Sequence, residues 1–175
     1  MDVSPTKVAK MQQARGFTLI ELLITLAVLG VVAGIAMPTI SDIMARQQLK
    51  GAARFVLGDF NNARMLAVKE RHDVSFLFNQ SVTAGGVGYT ADGTHYIIWS
   101  DKDGDNVKDS GEVSVRSIGE SFPRIAITQA SFGGGSVFTF KYMGTATPNG
   151  HVQLSDSNGT TRLVKVNVAG SSHVE

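Results

Sequence analysis

The chain has 175 residues, 16 basic against 15 acidic side chains, and no cysteine. A formal net charge of +1 argues against the strongly basic surface of a general nucleic-acid binder, and the lack of cysteine excludes a disulfide framework. The length allows one globular domain with its own core plus an extension.

The N-terminal region combines a short basic segment with a long apolar one. Residues 1–15 carry three basic side chains against one acidic, and residues 17–37 contain a single charge, Glu21, before Pro38. Such an apolar run can cross about 30 Å of hydrocarbon, and the basic flank predicts a cytoplasmic N-terminus. A carboxylate at mid-bilayer costs roughly 2.5–3.5 kcal/mol, so Glu21 is predicted to need a partner.

Two processing sites are compatible with this arrangement. An ordinary secretory signal is cut after its apolar region at a small-x-small site, and residues 33–36 read Ala-Gly-Ile-Ala. The alternative is a cut before the apolar run, which leaves that run at the mature N-terminus.

The sequence around the start of the apolar run favours the second site. Residues 15–21 read Arg-Gly-Phe-Thr-Leu-Ile-Glu, which resembles the processing signature of type IV pilins and type II secretion pseudopilins. The resemblance implies that prepilin peptidase cleaves between Gly16 and Phe17 and that Phe17 is then N-methylated. It also implies assembly roles for Glu21, which pairs with the N-terminal amine of a neighbouring subunit, and for Pro38.

A helical pattern continues beyond Pro38. Apolar residues recur at steps of three and four, namely Leu49, Ala53, Val56, Phe60, Ala63 and Ala67. We therefore predict one helix over residues 17–71, whose first part to residue 37 lies in the membrane or filament core and whose second part, residues 38–71, is amphipathic. Pro38 removes one backbone donor, so we expect a kink or local melting there.

After residue 71 the apolar period changes to two. Short strands separated by loops rich in Gly, Ser, Asn and Asp are predicted at 74–78, 88–92, 95–100, 112–118, 124–130, 137–142, 151–155 and 162–168. The predicted fold is α+β, with the amphipathic helix packed on an antiparallel sheet in a β-rich domain, residues 72–175. Within the pilin-like class this region resembles the minor pseudopilin H and FimT branch (GspH/FimT). It lacks the Gly-Arg tail of many members, because Gly170 precedes Ser171.

An acidic loop at residues 101–112 has the ligand spacing of an EF-hand calcium loop. Carboxylates occupy positions 1, 3, 5, 9 and 12 of this window, namely Asp101, Asp103, Asp105, Asp109 and Glu112. Gly104 stands at position 4, and position 6 is Asn106, which tolerates a left-handed turn. No flanking helices are predicted, so a solvated acidic turn between two strands is the alternative to a calcium site.

An enzyme is not predicted. The four histidines have no metal-ligand spacing, and neither a nucleophile elbow nor a phosphate-binding glycine loop is found in the sequence. DNA binding is a competing hypothesis. It rests on basic residues at 46, 50, 54, 64, 69 and 71 of the helix together with Lys141, Arg162 and Lys165, although a solvated helix face explains the same pattern.

The sequence predicts a structural subunit of the inner membrane, single-pass, with a periplasmic globular domain. The function predicted is a minor pseudopilin of a type II secretion system, assembled with other pilins or pseudopilins after cleavage. A minor type IV pilin, with DNA uptake as a further role, is the alternative.

Overall fold

The computed structural model describes residues 17–109 and 111–175, apart from the side chain of Pro38. The predicted leader, including Gly16, lies outside the described residues. Two compact units divide between Ile40 and Ser41.

A single helix, α1, runs over Leu19–Glu70, close to the predicted bounds. Thr18 caps its start, because the Thr18 hydroxyl accepts a hydrogen bond from the Glu21 amide at 3.3 Å. The helix ends at Glu70, and the next residue, Arg71, has a φ of 59°, the left-handed conformation common after helix C-termini. The helix continues through Pro38 without interruption, so the local melting predicted there is not seen. A proline removes one amide donor and leaves the other bonds of the helix in place.

Eleven strands follow among the described residues, and all their pairings are antiparallel. They are β1 Val74–Phe78, β2 Ser81–Ala84, β3 Val87–Thr90, β4 His95–Ser100, β5 Val113–Ser117, β6 Ile125–Phe132, β7 Val137–Phe140, β8 Ala146–Thr147, β9 Gly150–Asp156, β10 Thr161–Val166 and β11 Ser172–Val174. The α+β class is confirmed. The eight predicted strands correspond to eight of these, while β2, β8 and β11 are two to four residues long and show too little alternation to be recognised.

The strands form two main sheets and a hairpin instead of one sheet. The first sheet has the order β5-β4-β1-β7-β8, the second has the order β11-β10-β9-β6, and β2 and β3 form a two-stranded hairpin. A register shift between Ile127 and Gln129 interrupts the β6–β9 pairing. Such a bulge bends the strand and increases its local twist.

The predicted helix stripe is the core face of α1. All six of its residues are buried, and they belong to one apolar cluster with side chains from both sheets. Phe60 lies at its centre, with ring centroids 4.8 Å from Phe76 and 4.9 Å from Phe138 in edge-to-face geometry. The other face of the first sheet carries a smaller buried cluster of Leu77, Ala91 and Ile97.

Candidate functional site

The apolar part of α1 exposes its side chains all round. Every large apolar side chain from Phe17 to Met37 is more than half exposed. By length and composition this helix can cross a membrane, and the most apolar window has no buried residues. An apolar surface of this extent needs lipid or protein around it. It is the first candidate interaction surface of the chain.

Glu21 lies in the first turn of this helix. Its amide bonds to Thr18, and the Leu22 amide donates to the Thr18 carbonyl at 3.2 Å. Amide dipoles at a helix N-terminus favour a carboxylate in this turn. No basic group among residues 17–109 and 111–175 forms an ion pair with Glu21, so the charge is free to meet a partner from outside the described chain.

The acidic loop brings together three of its five predicted ligands. One carboxylate oxygen from each of Asp101, Asp103 and Asp105 can lie within 4.8 Å of the others. Asn106 has a φ of 59°, the left-handed conformation anticipated for position 6. The Val107 amide lowers the pKa of Asp105, but partial desolvation and the neighbouring Asp103 and Asp109 carboxylates outweigh it and raise the pKa. This crowding of negative charge is what a divalent cation relieves.

The other two predicted ligands are not part of that group. Glu112 is buried, and its carboxylate accepts hydrogen bonds from the Lys102 amide at 2.6 Å and from the Trp99 indole at 3.4 Å. The Asp109 carbonyl accepts a bond from the Glu112 amide. Glu112 therefore closes the base of the loop, and calcium binding remains a prediction carried by three aspartates.

A buried polar cluster links α1 to the first sheet, and no pattern in the sequence predicts it. Asp59 is buried and accepts hydrogen bonds from the Tyr96 hydroxyl at 2.5 Å and from two nitrogens of Arg116 at 3.1 Å each. Burial, followed by the bond to Asp59, raises the pKa of Tyr96 far above its usual value. In the sequence Asp59 is only one of several charges on a helix.

Arg64 of α1 holds two loops of the C-terminal region against the helix. The Arg64 guanidinium donates to the Gly144 carbonyl at 2.9 Å and to the Ala169 carbonyl at 3.1 Å. The loop that contains Gly144 and the loop that contains Gly170 approach so closely that a Cβ at Gly170 would lie 2.0 Å from the Gly144 oxygen. Only glycine fits at this position, where φ is also positive. Arg64 thus ties the end of the chain to the helix.

The predicted basic surface is divided. Lys141 pairs with Asp73 at 2.7 Å, and Lys165 pairs with Glu175 at 2.6 Å. The Arg64 guanidinium donates its hydrogen bonds to backbone carbonyls. A smaller basic group remains where Arg46, Lys50 and Arg162 line one cavity with Leu49 and Thr160. Arg54, Lys69 and Arg71 also form no ion pair among the described residues, so they remain open to a polyanion together with this group.

One serine–histidine contact is present in the described chain. His72 Nε2 lies 2.6 Å from Ser100 Oγ, and the same nitrogen lies 3.7 Å from Glu70. A catalytic triad needs the acid on the other ring nitrogen, Nδ1. This contact is therefore not a triad.

An exposed apolar helix that continues into the core of a β-rich domain defines the pilin-like class. Residues 11–37 match the prokaryotic N-terminal methylation motif. Residues 52–171, more than half of the chain, match the family described as Type II transport protein GspH. The chain belongs to this family of pilin-like structural proteins.

Relatives and a solved structure agree with this class. The chain is 33% identical over 84 residues to the fimbrial protein EcpC of Eikenella corrodens, which is 48% of this chain and 52% of that protein. It is 34% identical over 98 residues to the pilin-like protein PilA1 of Thermus thermophilus, 56% of this chain and 55% of that protein. The matches thus span about half the length of these relatives. The type IV minor pilin FimU of Pseudomonas aeruginosa shares the fold, with a TM-score of 0.52 and 17% identity over 74% of this chain and 90% of that chain.

Proposed function

We propose that the chain is a minor pseudopilin of a type II secretion system, anchored in the inner membrane with its sheet domain in the periplasm. The observation that carries this proposal is the family match over residues 52–171, which includes nearly all of the β-rich region. The methylation motif supports processing by prepilin peptidase between Gly16 and Phe17.

In the assembled filament the exposed apolar helix would be covered by helices of other subunits. Glu21 would then lie in an environment of low polarity, where an unpaired charge is costly. The new N-terminal amine of Phe17 in a neighbouring subunit supplies the countercharge. Glu21 has no ion pair among the described residues and lies in the first helical turn, and both observations support this pairing.

A minor type IV pilin is the second candidate. The relative described as a fimbrial protein and the shared fold with a type IV minor pilin favour it. In that case the basic group of Arg46, Lys50 and Arg162 becomes the candidate surface for DNA. Such a surface would bind with strong salt dependence.

The two candidates are separated by deleting the gene and scoring secreted proteins, surface pili and DNA uptake in parallel. The pseudopilin proposal predicts loss of secretion with pili intact. Loss of pili or DNA uptake with normal secretion would establish the second candidate instead. Complementation with the intact chain is the control for effects on neighbouring genes.

A further inference from the structure

The edge strand β5 presents a row of free backbone groups. Antiparallel ladders alternate between residues that bond their partner and residues that point away. The Ser100 amide bonds to the Glu112 carbonyl and the Ile118 amide to the Thr94 carbonyl. Ser100 faces Glu112 and Thr94 faces Ile118 in the β4–β5 register, so every second residue of β5 bonds to β4. The β5 residues whose amides and carbonyls bond to β4 are therefore 114 and 116. The amides and carbonyls of Val113, Val115 and Ser117 therefore point outward, and the part of the chain that is described offers them no backbone partner.

The other sheet edges are covered, bulged or short, and the two strands of the β2–β3 hairpin have four residues each. The Ala146 amide of β8 donates to the Val168 carbonyl, and the Ile127 amide of the bulged strand β6 donates to the Gly93 carbonyl. The edge strand β11 has three residues and is flanked by the Lys165–Glu175 ion pair. Proteins protect sheet edges in these ways because free edges pair with other chains. Of the described edges, β5 combines five residues with no such cover.

A groove runs along the same edge between β5 and α1. Its volume is about 450 Å³, and its lining includes Asn62, Ala63 and Leu66 of α1, Ile98 of β4, and Ser114 and Arg116 of β5. Side chains alternate across a sheet, and Ile98 belongs to the cluster on the helix side. The side chains of Ser114 and Arg116 therefore face the groove. Val113 also borders the groove, but its side chain packs with Leu77 and Ile97 on the opposite face, and Val115 lies on that same face.

The charged groups of the groove are already paired. Asp59 is bonded to Tyr96 and Arg116, Glu112 is bonded to the Lys102 amide, and Lys102 Nζ donates to the Gly111 carbonyl at 2.9 Å. What remains open is an apolar floor. A side chain that enters the groove must therefore be uncharged and apolar, because a buried unpaired charge is expensive.

We propose that β5 accepts an extended segment of another subunit of the filament, which adds a strand to the sheet and inserts an apolar side chain into the groove. The proposal rests on the proposed function for the source of that segment. Three amides and three carbonyls give the affinity of such strand addition, and the groove gives its specificity. The β5 edge of a second copy does not fit as this segment, because it would bring Ser114 or Arg116 to the groove and no apolar side chain.

Residue-resolved hydrogen exchange tests the proposal. The amides of Ser114 and Arg116 are expected to exchange slowly both in the detergent-solubilised chain and in isolated filaments. Those of Val113, Val115 and Ser117 are expected to exchange fast in the solubilised chain and at least tenfold more slowly in filaments. Filaments that contain the chain while these three amides still exchange fast would overturn strand addition and leave the proposed function standing. Filaments without the chain would overturn both.

Three variants sharpen the result. Val115→Pro removes an outward amide and keeps the β4 ladder, so incorporation into filaments is expected to fall several-fold. Ser172→Pro is the control on the β11 edge, since the Ser172 amide also points outward there. It removes in addition the exposed hydrogen bond from the Ser172 hydroxyl to Asn61, and it should still incorporate normally. The chain has no cysteine, so Val115→Cys provides a single thiol. Efficient disulfide-linked homodimers of that variant in filaments would assign the edge to a second copy and overturn the proposed occupant.

Discussion

The buried Asp59–Tyr96 bond should control a measurable share of the stability of the sheet domain. A hydrogen bond to a charged group contributes about 1.5–3 kcal/mol, and both partners here are buried. Tyr96→Phe is therefore expected to lower the free energy of unfolding by about 2 kcal/mol. Asp59→Ala should cost about 3 kcal/mol, because it leaves the Tyr96 hydroxyl buried without a partner. Arg116 is half exposed, so its share is discounted to about 1 kcal/mol or less.

The double variant decides whether the two side chains act together. Removing both partners leaves no orphaned hydroxyl, so its cost should fall short of the sum of the single costs by about 1–2 kcal/mol. Trp99 is the only tryptophan and lies on the same strand as Tyr96, so its fluorescence can follow urea unfolding of the detergent-solubilised chain. Additivity to within about 0.5 kcal/mol would refute the reasoning.

The raised pKa of Tyr96 predicts that the free energy of unfolding depends on pH in the alkaline range. Burial and the bond to Asp59 raise the pKa of Tyr96 in the folded state above its unfolded value near 10. The stabilising contribution is therefore fully present below pH 10 and is lost as the pH rises beyond it. Tyr96→Phe should lose this part of the alkaline decline, as measured by urea midpoints at pH 8 and pH 11.

Further predictions concern processing, assembly, metal binding and the C-terminal closure. Gly16→Val should block cleavage because a side chain hinders the cut, and normal processing on immunoblots would contradict the assigned site. Glu21→Ala should insert in the membrane but fail to assemble, whereas wild-type incorporation would remove the pairing role. Calorimetric titration should show calcium binding that Asp103→Asn weakens at least tenfold, and no binding by the parent chain would leave a solvated turn. Arg64→Ala should cost about 1–3 kcal/mol and release the C-terminal strand to proteolysis, with exposed Met65→Ala as the neutral control.

The sequence was most informative where one physical pattern dominates. The stripe from Leu49 to Ala67 fixed the core face of α1, because burial recurs with the period of the helix. The division into two sheets was not predictable, since alternation in β6 says which residues face inward and nothing about which strand it joins.

The candidate sites show the same limit. Spacing identified the acidic loop, but the inward position of Glu112 follows from its pairing with Ser100 at the start of β5. The buried role of Asp59 could not be predicted from the sequence, because one acidic residue on a helix resembles any other. Its partners Tyr96 and Arg116 reach it only in the folded structure. The free edge of β5 depends on strand order, which local sequence does not encode.

The closure by Arg64 also determines what the domain needs in order to mature. A guanidinium that bonds two carbonyls requires no oxidant, no thiol exchange and no disulfide isomerase. Reducing agents should leave the folded domain intact, so its yield should not change in cells that lack disulfide-forming enzymes. The subunit would therefore remain competent under anaerobic or thiol-rich conditions in which disulfide-closed domains fail to fold.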